Sequence, residues 1–74
     1  MDEAQIKQRS EQFEKMTAED PADSMGWFAL GSAYKDAGRH EEAARALRKT
    51  IEQDAGFSRA YQLLGQVLVA EGAE

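Results

Sequence analysis

The sequence contains no cysteine and only one histidine, one proline and one tryptophan in 74 residues. The lack of cysteine excludes disulfide bridges, thiolate catalysis and cysteine-ligated zinc or iron–sulfur sites. A single histidine cannot build a histidine-rich metal site, and the glycines do not follow the G-x-G-x-x-G spacing of a phosphate-binding loop. We therefore predict a protein that is not an enzyme and that holds no metal and no cofactor.

Basic residues and long apolar runs are also scarce. The chain has 9 lysines and arginines against 14 aspartates and glutamates, which gives a formal net charge of −5. This excess of negative charge argues against nucleic acid and anionic membranes as partners. No segment approaches the roughly 20 consecutive apolar residues of a transmembrane helix, and the acidic start MDEAQIKQ is unlike a signal peptide. We expect a single cytoplasmic domain over residues 1–74.

The sequence does contain an internal repeat. Gly31 and Gly38 are seven residues apart, and a shift of 34 residues brings them onto Gly65 and Gly72. The same shift pairs further identical or similar residues: Lys15 with Lys49, Asp20 with Asp54, Ser24 with Ser58, Trp27 with Tyr61, and Leu30 with Leu64. A regular period of this length is typical of helical repeat proteins.

Apolar periodicity and helix-breaking residues predict four α-helices. Their expected ranges are residues 3–19, 24–37, 41–53 and 58–71. Pro21 ends the first helix because the residue before a proline is pushed out of the helical region, and Gly38 suits the left-handed residue after the second helix. Asp23 or Ser24 can cap the start of the second helix. Short connections make consecutive helices antiparallel, so the expected fold class is an all-α helix-turn-helix repeat.

A recognisable motif occupies the centre of the chain. Residues 27–34 read WFALGSAY, which matches the tetratricopeptide pattern W-x2-L-G-x2-Y at every specified position. Ala43 and Leu47 follow where that pattern has Ala-x3-Phe, and GRHEEA at 38–43 looks like the turn between the two helices of such a repeat. The chain thus resembles the tetratricopeptide repeat (TPR) family along nearly its whole length.

The resemblance implies a fragment of an α-solenoid with four helices. Residues 24–57 would form one full repeat, residues 3–21 the second helix of a preceding repeat, and residues 58–72 the first helix of a following one. The motif positions would then form the core of the repeat: Trp27, Leu30, Gly31, Tyr34, Ala43, Leu47, Tyr61, Leu64, Gly65 and Leu68. Because a helix pair cannot bury its apolar face alone, flanking helices are required for stability.

The family's usual role, which the resemblance implies, is that of a non-catalytic scaffold holding a partner segment on a concave face. That face is lined by the first helix of each repeat. On the helical wheel it would carry Met25, Phe28, Ser32, Lys35, Arg59, Gln62 and Gln66. One aromatic anchor, two cations and several polar groups suit a peptide or helix that bears an acidic group. In the alternative reading, Met25 and Phe28 pack against Phe13 and Met16, and the two cations are simply solvated.

The fourth predicted helix suggests an alternative function. Its apolar residues span about half of the helical wheel, which is wider than the ~100° stripe of a helix buried on one side. We expect an outward face formed by Leu63, Val67 and Ala70 to be covered by a second copy, by a partner, or by a missing helix of a longer repeat array. The protein would then be a homo-oligomerisation module, such as a homodimer, or a fragment of a longer repeat array. A monomer with a modest exposed patch is the remaining alternative.

Two further features have ordinary structural explanations. His40 stands in the turn between two predicted helices, where a partly buried turn residue is expected rather than a catalyst. The basic residues between positions 45 and 49 have Glu41 and Glu52 within helical reach. A salt-bridged surface is therefore expected there rather than a nucleic-acid interface.

Overall fold

The structure is a computed structural model that describes residues 3–72, except for the side chains of residues 3 and 6. Its elements are four helices: α1 (Glu3–Glu19), α2 (Ser24–Asp36), α3 (His40–Gln53) and α4 (Ser58–Gly72). Each helix boundary lies within one residue of the position expected from the sequence. The predicted all-α helical-repeat fold of four helices is confirmed.

Local signals set the two ends of α2. The Asp23 side chain accepts a hydrogen bond from the Met25 backbone N–H at 3.0 Å, which satisfies one of the free N–H groups at the helix start. At the other end, Gly38 has a φ of +76°, a conformation that L side chains rarely adopt. The Gly38 N–H donates to the Lys35 carbonyl at 3.0 Å and closes the turn after α2. The helix ends at Asp36, one residue before the predicted end at residue 37.

The 34-residue period is visible in the hydrogen bonds of the turns before α2 and before α4. Three backbone hydrogen bonds before α2 have an equivalent before α4. Asp20 N–H donates to Met16 O at 3.0 Å, as Asp54 N–H does to Thr50 O at 2.9 Å. The other two pairs are all 3.1 Å long: Asp23 N–H to Asp20 O with Phe57 N–H to Asp54 O, and Gly26 N–H to Asp23 O with Ala60 N–H to Phe57 O. A side-chain bond repeats as well. The Trp27 indole donates to the Pro21 carbonyl at 2.8 Å, and the Tyr61 hydroxyl donates to the Ala55 carbonyl at 3.0 Å. The two turns are therefore copies of one structural unit.

The closest helix packing in the repeat is between α2 and α3. A Cβ atom placed on Gly31 would lie 2.8 Å from Cγ of Leu47 and 3.5 Å from the Ala43 carbonyl oxygen. Only a residue without a side chain therefore allows α2 to approach α3 so closely. The core cluster comprises Leu30, Tyr34, Ala43, Ala44, Ala46, Leu47, Ala60 and Val67. It is built mainly from small residues of α3 and larger residues of its two neighbours.

Helix α1 packs on α2 with small polar side chains. Ser10 and Thr17 are both buried, and their hydroxyls donate to the carbonyl oxygens of Lys7 and Glu14 at 3.0 and 2.9 Å. These local bonds satisfy the hydroxyl hydrogens, so the two side chains can be buried without an unpaired donor. Thr17 Cγ2 lies 3.5 Å from where a Cβ of Gly26 would stand. Small residues on both helices thus form this contact.

Helix α4 buries a different face from the one expected. Ala60 and Val67 are fully buried and stand seven residues apart, on the side of α4 that enters the core cluster. The prediction that Val67 lies on the outward face is therefore wrong. Of the other two residues predicted there, Leu63 is half-buried against the core and Ala70 is exposed.

Candidate interaction surfaces

The aromatic residue of the predicted groove is held in place by a second aromatic ring. Phe28 in α2 stacks on Phe57, which immediately precedes α4, with ring centroids 4.8 Å apart and an interplanar angle of 27°. Neither sequence interpretation of Phe28 included this contact. Met25, one turn earlier on α2, is 59% exposed, and Ser32 is half-buried. The stack links the start of α4 to the middle of α2 and leaves Met25 open to solvent.

The two cations predicted for the groove have no acidic partner within residues 3–72. Lys35 lies in the last turn of α2 and Arg59 in the first turn of α4. Neither takes part in the ion pairs formed by the described residues. Gln62 and Gln66 are exposed on α4, one turn apart. These side chains present positive charge and hydrogen-bonding groups to solvent.

Three cations at the start and on the surface of α3 are paired with acids instead. The ion pairs join Arg39 to Glu42, Arg45 to Glu41 (3.0 Å) and Lys49 to Glu52 (3.6 Å). All three pairs span three or four residues and are partly or largely exposed, so each contributes little to stability. The salt-bridged surface predicted between positions 41 and 52 is confirmed.

Tyr34 connects α2 to the helix before it and to the turn after it. Burial raises the pKa of the Tyr34 hydroxyl, and the neighbouring Glu14 carboxylate on α1 acts in the same direction through its charge and a hydrogen bond. The Arg39 guanidinium lies over the Tyr34 ring, 4.8 Å from its centroid, and favours the ionised form. An open hollow beside the ring is lined by Trp27, Leu30, Tyr34, Glu42, Arg45, Ala46 and Lys49. The charged residues that line the hollow, Glu42, Arg45 and Lys49, already form ion pairs within the chain. The hollow therefore offers no unpaired charge to a ligand.

His40 is the first residue of α3 and is half-buried. Its Nδ1 atom is buried and has no hydrogen-bond partner among the described residues. Between residues 3 and 72, no three His, Cys, Asp or Glu side chains are grouped so that they could hold a metal ion. The structure therefore places His40 as a partly buried residue at a helix start.

The exposed apolar surface of α4, here called the α4 outer face, consists of Tyr61, Gly65, Leu68 and Val69. Their exposed fractions are 50% for Tyr61, 41% for Leu68 and 72% for Val69. A Cβ atom on Gly65 would meet nothing within 4 Å. The prediction that Tyr61, Gly65 and Leu68 belong to the core is thus wrong for this chain.

The period of the repeat explains the exposure of the α4 outer face. Tyr61, Gly65 and Leu68 stand 34 residues after Trp27, Gly31 and Tyr34, which lie on the face of α2 that α3 covers. Within residues 3–72 no helix follows α4. The 34-residue period could therefore have identified the α4 outer face from the sequence, because in a complete repeat the helix after α4 would cover these positions.

Comparison with known proteins agrees with this architecture. The sequence model of the tetratricopeptide repeat matches residues 24–67, which is more than half of the chain. The TPR repeat-containing protein PA0015 of Pseudomonas aeruginosa is 40% identical over 62 residues, which is 84% of this chain and 59% of that relative. The match thus spans little more than half the length of the relative. The chain belongs to the tetratricopeptide repeat family, whose repeats generally mediate protein–protein interactions and are typically non-catalytic scaffolds.

No solved structure matches the chain significantly. Among residues 3–72, no helix is both long and apolar enough to cross a membrane.

Proposed function

We propose that the chain is a non-catalytic module that binds a segment of a partner protein on the face shared by α2 and α4. The residues proposed to make contact are Met25, Phe28, Ser32, Lys35, Arg59, Gln62 and Gln66. The observation that carries this proposal is that Lys35 and Arg59 lack acidic partners among the described residues, whereas Arg45 and Lys49 of α3 are paired. A peptide or helix that carries a carboxylate would supply the missing charge.

The apolar side chains of the same face favour this proposal. Met25 is largely exposed, and its flexible thioether side chain adapts to different apolar surfaces. Phe28 is already fixed by its stack on Phe57, so it would lose little conformational freedom when a partner binds. The amide groups of Gln62 and Gln66 can donate to and accept from the backbone of an extended segment. A cytoplasmic location stays a prediction of the sequence.

The test uses a peptide selected from a displayed library against the immobilised full chain. Titration of that peptide into isotopically labelled protein should shift the amide signals of Met25, Ser32, Gln62 and Gln66. The double variant Lys35→Glu/Arg59→Glu should bind the peptide at least about tenfold more weakly, since two attractive charges become repulsive. Far-UV circular dichroism should show that the variant keeps its helix content.

The matched control is the double variant Arg45→Glu/Lys49→Glu on α3, which reverses the same number of charges. Because these cations are paired within the chain, peptide affinity should change less than twofold to threefold, about 0.5 kcal/mol. Signal shifts that cluster between positions 45 and 49, together with a loss of affinity in this control, would place binding on α3 and refute the groove.

A second candidate function is homo-oligomerisation or docking within a longer repeat array. It is favoured by the exposure of Tyr61, Leu68 and Val69 on one side of α4. Exposed apolar patches of this kind mark interaction surfaces when they are contiguous. This exposed side of α4 adjoins the groove, because Gln62 lies only about 20° from Val69 around the helix axis.

A further inference from the structure

We propose that Arg9 and Gln12 of α1 prevent copies of this chain from stacking head-to-tail into an open-ended repeat array. In such a stack, α1 of one copy would pack on α4 of the next copy. The inference goes beyond the proposed binding function and does not depend on the groove of α2 and α4.

The order of the helices would by itself allow head-to-tail stacking. The 34-residue period places α1 at the position of α3, the second helix of a repeat, and α4 at the position of α2, the first helix. The matching hydrogen bonds before α2 and α4 show that α1 leads into α2 as α3 leads into α4. The α4 of one copy and the α1 of another would therefore complete a helix pair. Contacts of this kind do not close on themselves and form open chains.

Helix α3 shows which side chains a second helix needs on the face that meets the first. That face carries four residues that are at most 3% exposed, namely Ala43, Ala46, Leu47 and Thr50. Ala43 and Leu47 lie beside the Cα of Gly31, and Ala46 lines a hollow together with Leu30. The contact between α2 and α3 therefore uses small or apolar side chains and no charge.

The equivalent face of α1 differs at two of its four positions. This face, here called the α1 outer face, consists of the residues 34 positions earlier, namely Arg9, Gln12, Phe13 and Met16. Because each residue rotates by about 100°, the last three all lie within about 60° of Arg9 around the helix axis. Phe13 and Met16 are apolar and suit a neighbouring helix. Arg9 and Gln12 replace the two alanines, and both are exposed.

The charge of Arg9 opposes stacking. In a stack it would occupy the place that Ala43 has against α2, and Ala43 is 0% exposed. The charged residues of α4 within the described part of the chain are Arg59 and Glu71, and each lies about 120° around the axis from Gly65. No carboxylate of α4 would thus stand beside the buried guanidinium. Burying a charge without a partner is strongly unfavourable.

The size of the two side chains opposes stacking as well. At Gly31, a single added carbon would already lie 2.8 Å from Leu47 and 3.5 Å from the Ala43 carbonyl oxygen. A contact this close leaves no space for a side chain as long as arginine at the position of Ala43. Gln12 would take the place of Ala46, which is 3% exposed, and its amide would lose its hydrogen bonds to water.

The first experiment is sedimentation equilibrium of the full chain and of the double variant Arg9→Ala/Gln12→Ala, from low to high micromolar concentration. The wild type should show no series of species that grows with concentration. The variant should associate at least tenfold more strongly, with an average mass that rises above twice the 8.2 kDa chain mass. Alanine favours helix, so the circular dichroism spectrum should stay helical.

Two control variants separate the position of the change from its chemistry. Arg48→Ala/Gln53→Ala removes the same residue types from exposed positions of α3 and should sediment like the wild type. Arg9→Lys/Gln12→Glu keeps long polar side chains on α1 and should do the same. Equal association of the two alanine variants would mean that any loss of surface polarity suffices, which overturns the role of α1.

A third substitution tests where the copies meet. Leu68→Glu, added to Arg9→Ala/Gln12→Ala, should return the protein to the mass of the wild type, whereas Gln62→Glu on the neighbouring side of α4 should not. Association that persists with Leu68→Glu overturns the contact between α1 and α4. The proposal is also overturned if Arg9→Ala/Gln12→Ala sediments like the wild type, or if the wild type itself forms the growing series.

The result is separable from the test of the groove. At low micromolar concentration, Arg9→Ala/Gln12→Ala should bind the selected peptide with the affinity of the wild type, because neither residue belongs to the groove. A peptide that fails to bind either protein counts against the groove and leaves the sedimentation comparison unchanged.

Discussion

The helices α2 and α4 stand 34 residues apart at the same position of the repeat, and a shared set of hydrogen bonds leads into both. α2 is covered by α3 and buries Leu30 and Tyr34 in the core. α4 buries Ala60 and Val67 but leaves Tyr61, Leu68 and Val69 largely exposed. The local sequence therefore determines the helix and its turn, while burial is determined by which neighbouring helices are present.

The difference is clearest at the two glycines. Gly31 lies against Leu47, and even one added carbon would collide with it. Gly65 stands at the equivalent position of the repeat but faces open space. The glycine of the motif is therefore a docking feature, because its lack of a side chain has structural value only where another helix packs on it. In α4 no described residue packs on the equivalent glycine.

The largest expected effect comes from the matched leucines of the two helices. Leu30→Ala should reduce the free energy of unfolding by about 2–5 kcal/mol, because Leu30 is buried and its truncation leaves a cavity. Leu64→Ala should cost only about 1 kcal/mol, since Leu64 is half-buried and water can fill the space. Urea unfolding at low micromolar concentration measures both changes.

If Leu30→Ala leaves too little folded protein to measure, Leu30→Val and Leu64→Val provide the same comparison with smaller losses. If the two substitutions lower the free energy of unfolding by equal amounts, α4 is as well covered as α2 under the conditions of the measurement. That outcome would contradict the difference in packing described above.

The next effect changes sign between the two helices. Gly31→Ala should destabilise the chain by about 1–2 kcal/mol, because the overpacking against Leu47 outweighs the better helix propensity of alanine. Gly65→Ala should stabilise the monomer by up to about 1 kcal/mol, since only the propensity changes. Thermal and urea unfolding of the two variants at low concentration give the comparison. A loss of stability in Gly65→Ala that grows with protein concentration would instead show a helix packed on Gly65.

The sequence predicts the helices of this fold well because their ends depend on local residues. Pro21 and Gly38 act on the backbone of their own turns, and the 34-residue period repeats those turns. Helix boundaries were therefore correct to within one residue. The TPR motif likewise predicts the close contact of α2 with α3.

The sequence predicts the faces of α4 less well because both sides of that helix are apolar. Val67 and Leu68 are neighbours in the sequence and lie about 100° apart around the axis. Which of them is buried depends on whether another helix covers the second side, and hydrophobicity alone does not determine this. The stack of Phe28 on Phe57 was also beyond a helical-wheel argument, because it depends on how the turn before α4 directs the chain.

The smallest expected effects concern the repeated side-chain hydrogen bond. Tyr61→Phe removes only the hydroxyl that donates to the Ala55 carbonyl, and it should cost about 0.5 kcal/mol, because water replaces the lost donor at this exposed site. Trp27→Phe removes the equivalent bond to the Pro21 carbonyl together with part of a half-buried ring, so about 1–2 kcal/mol is expected. Both variants are measured by urea unfolding of the monomer.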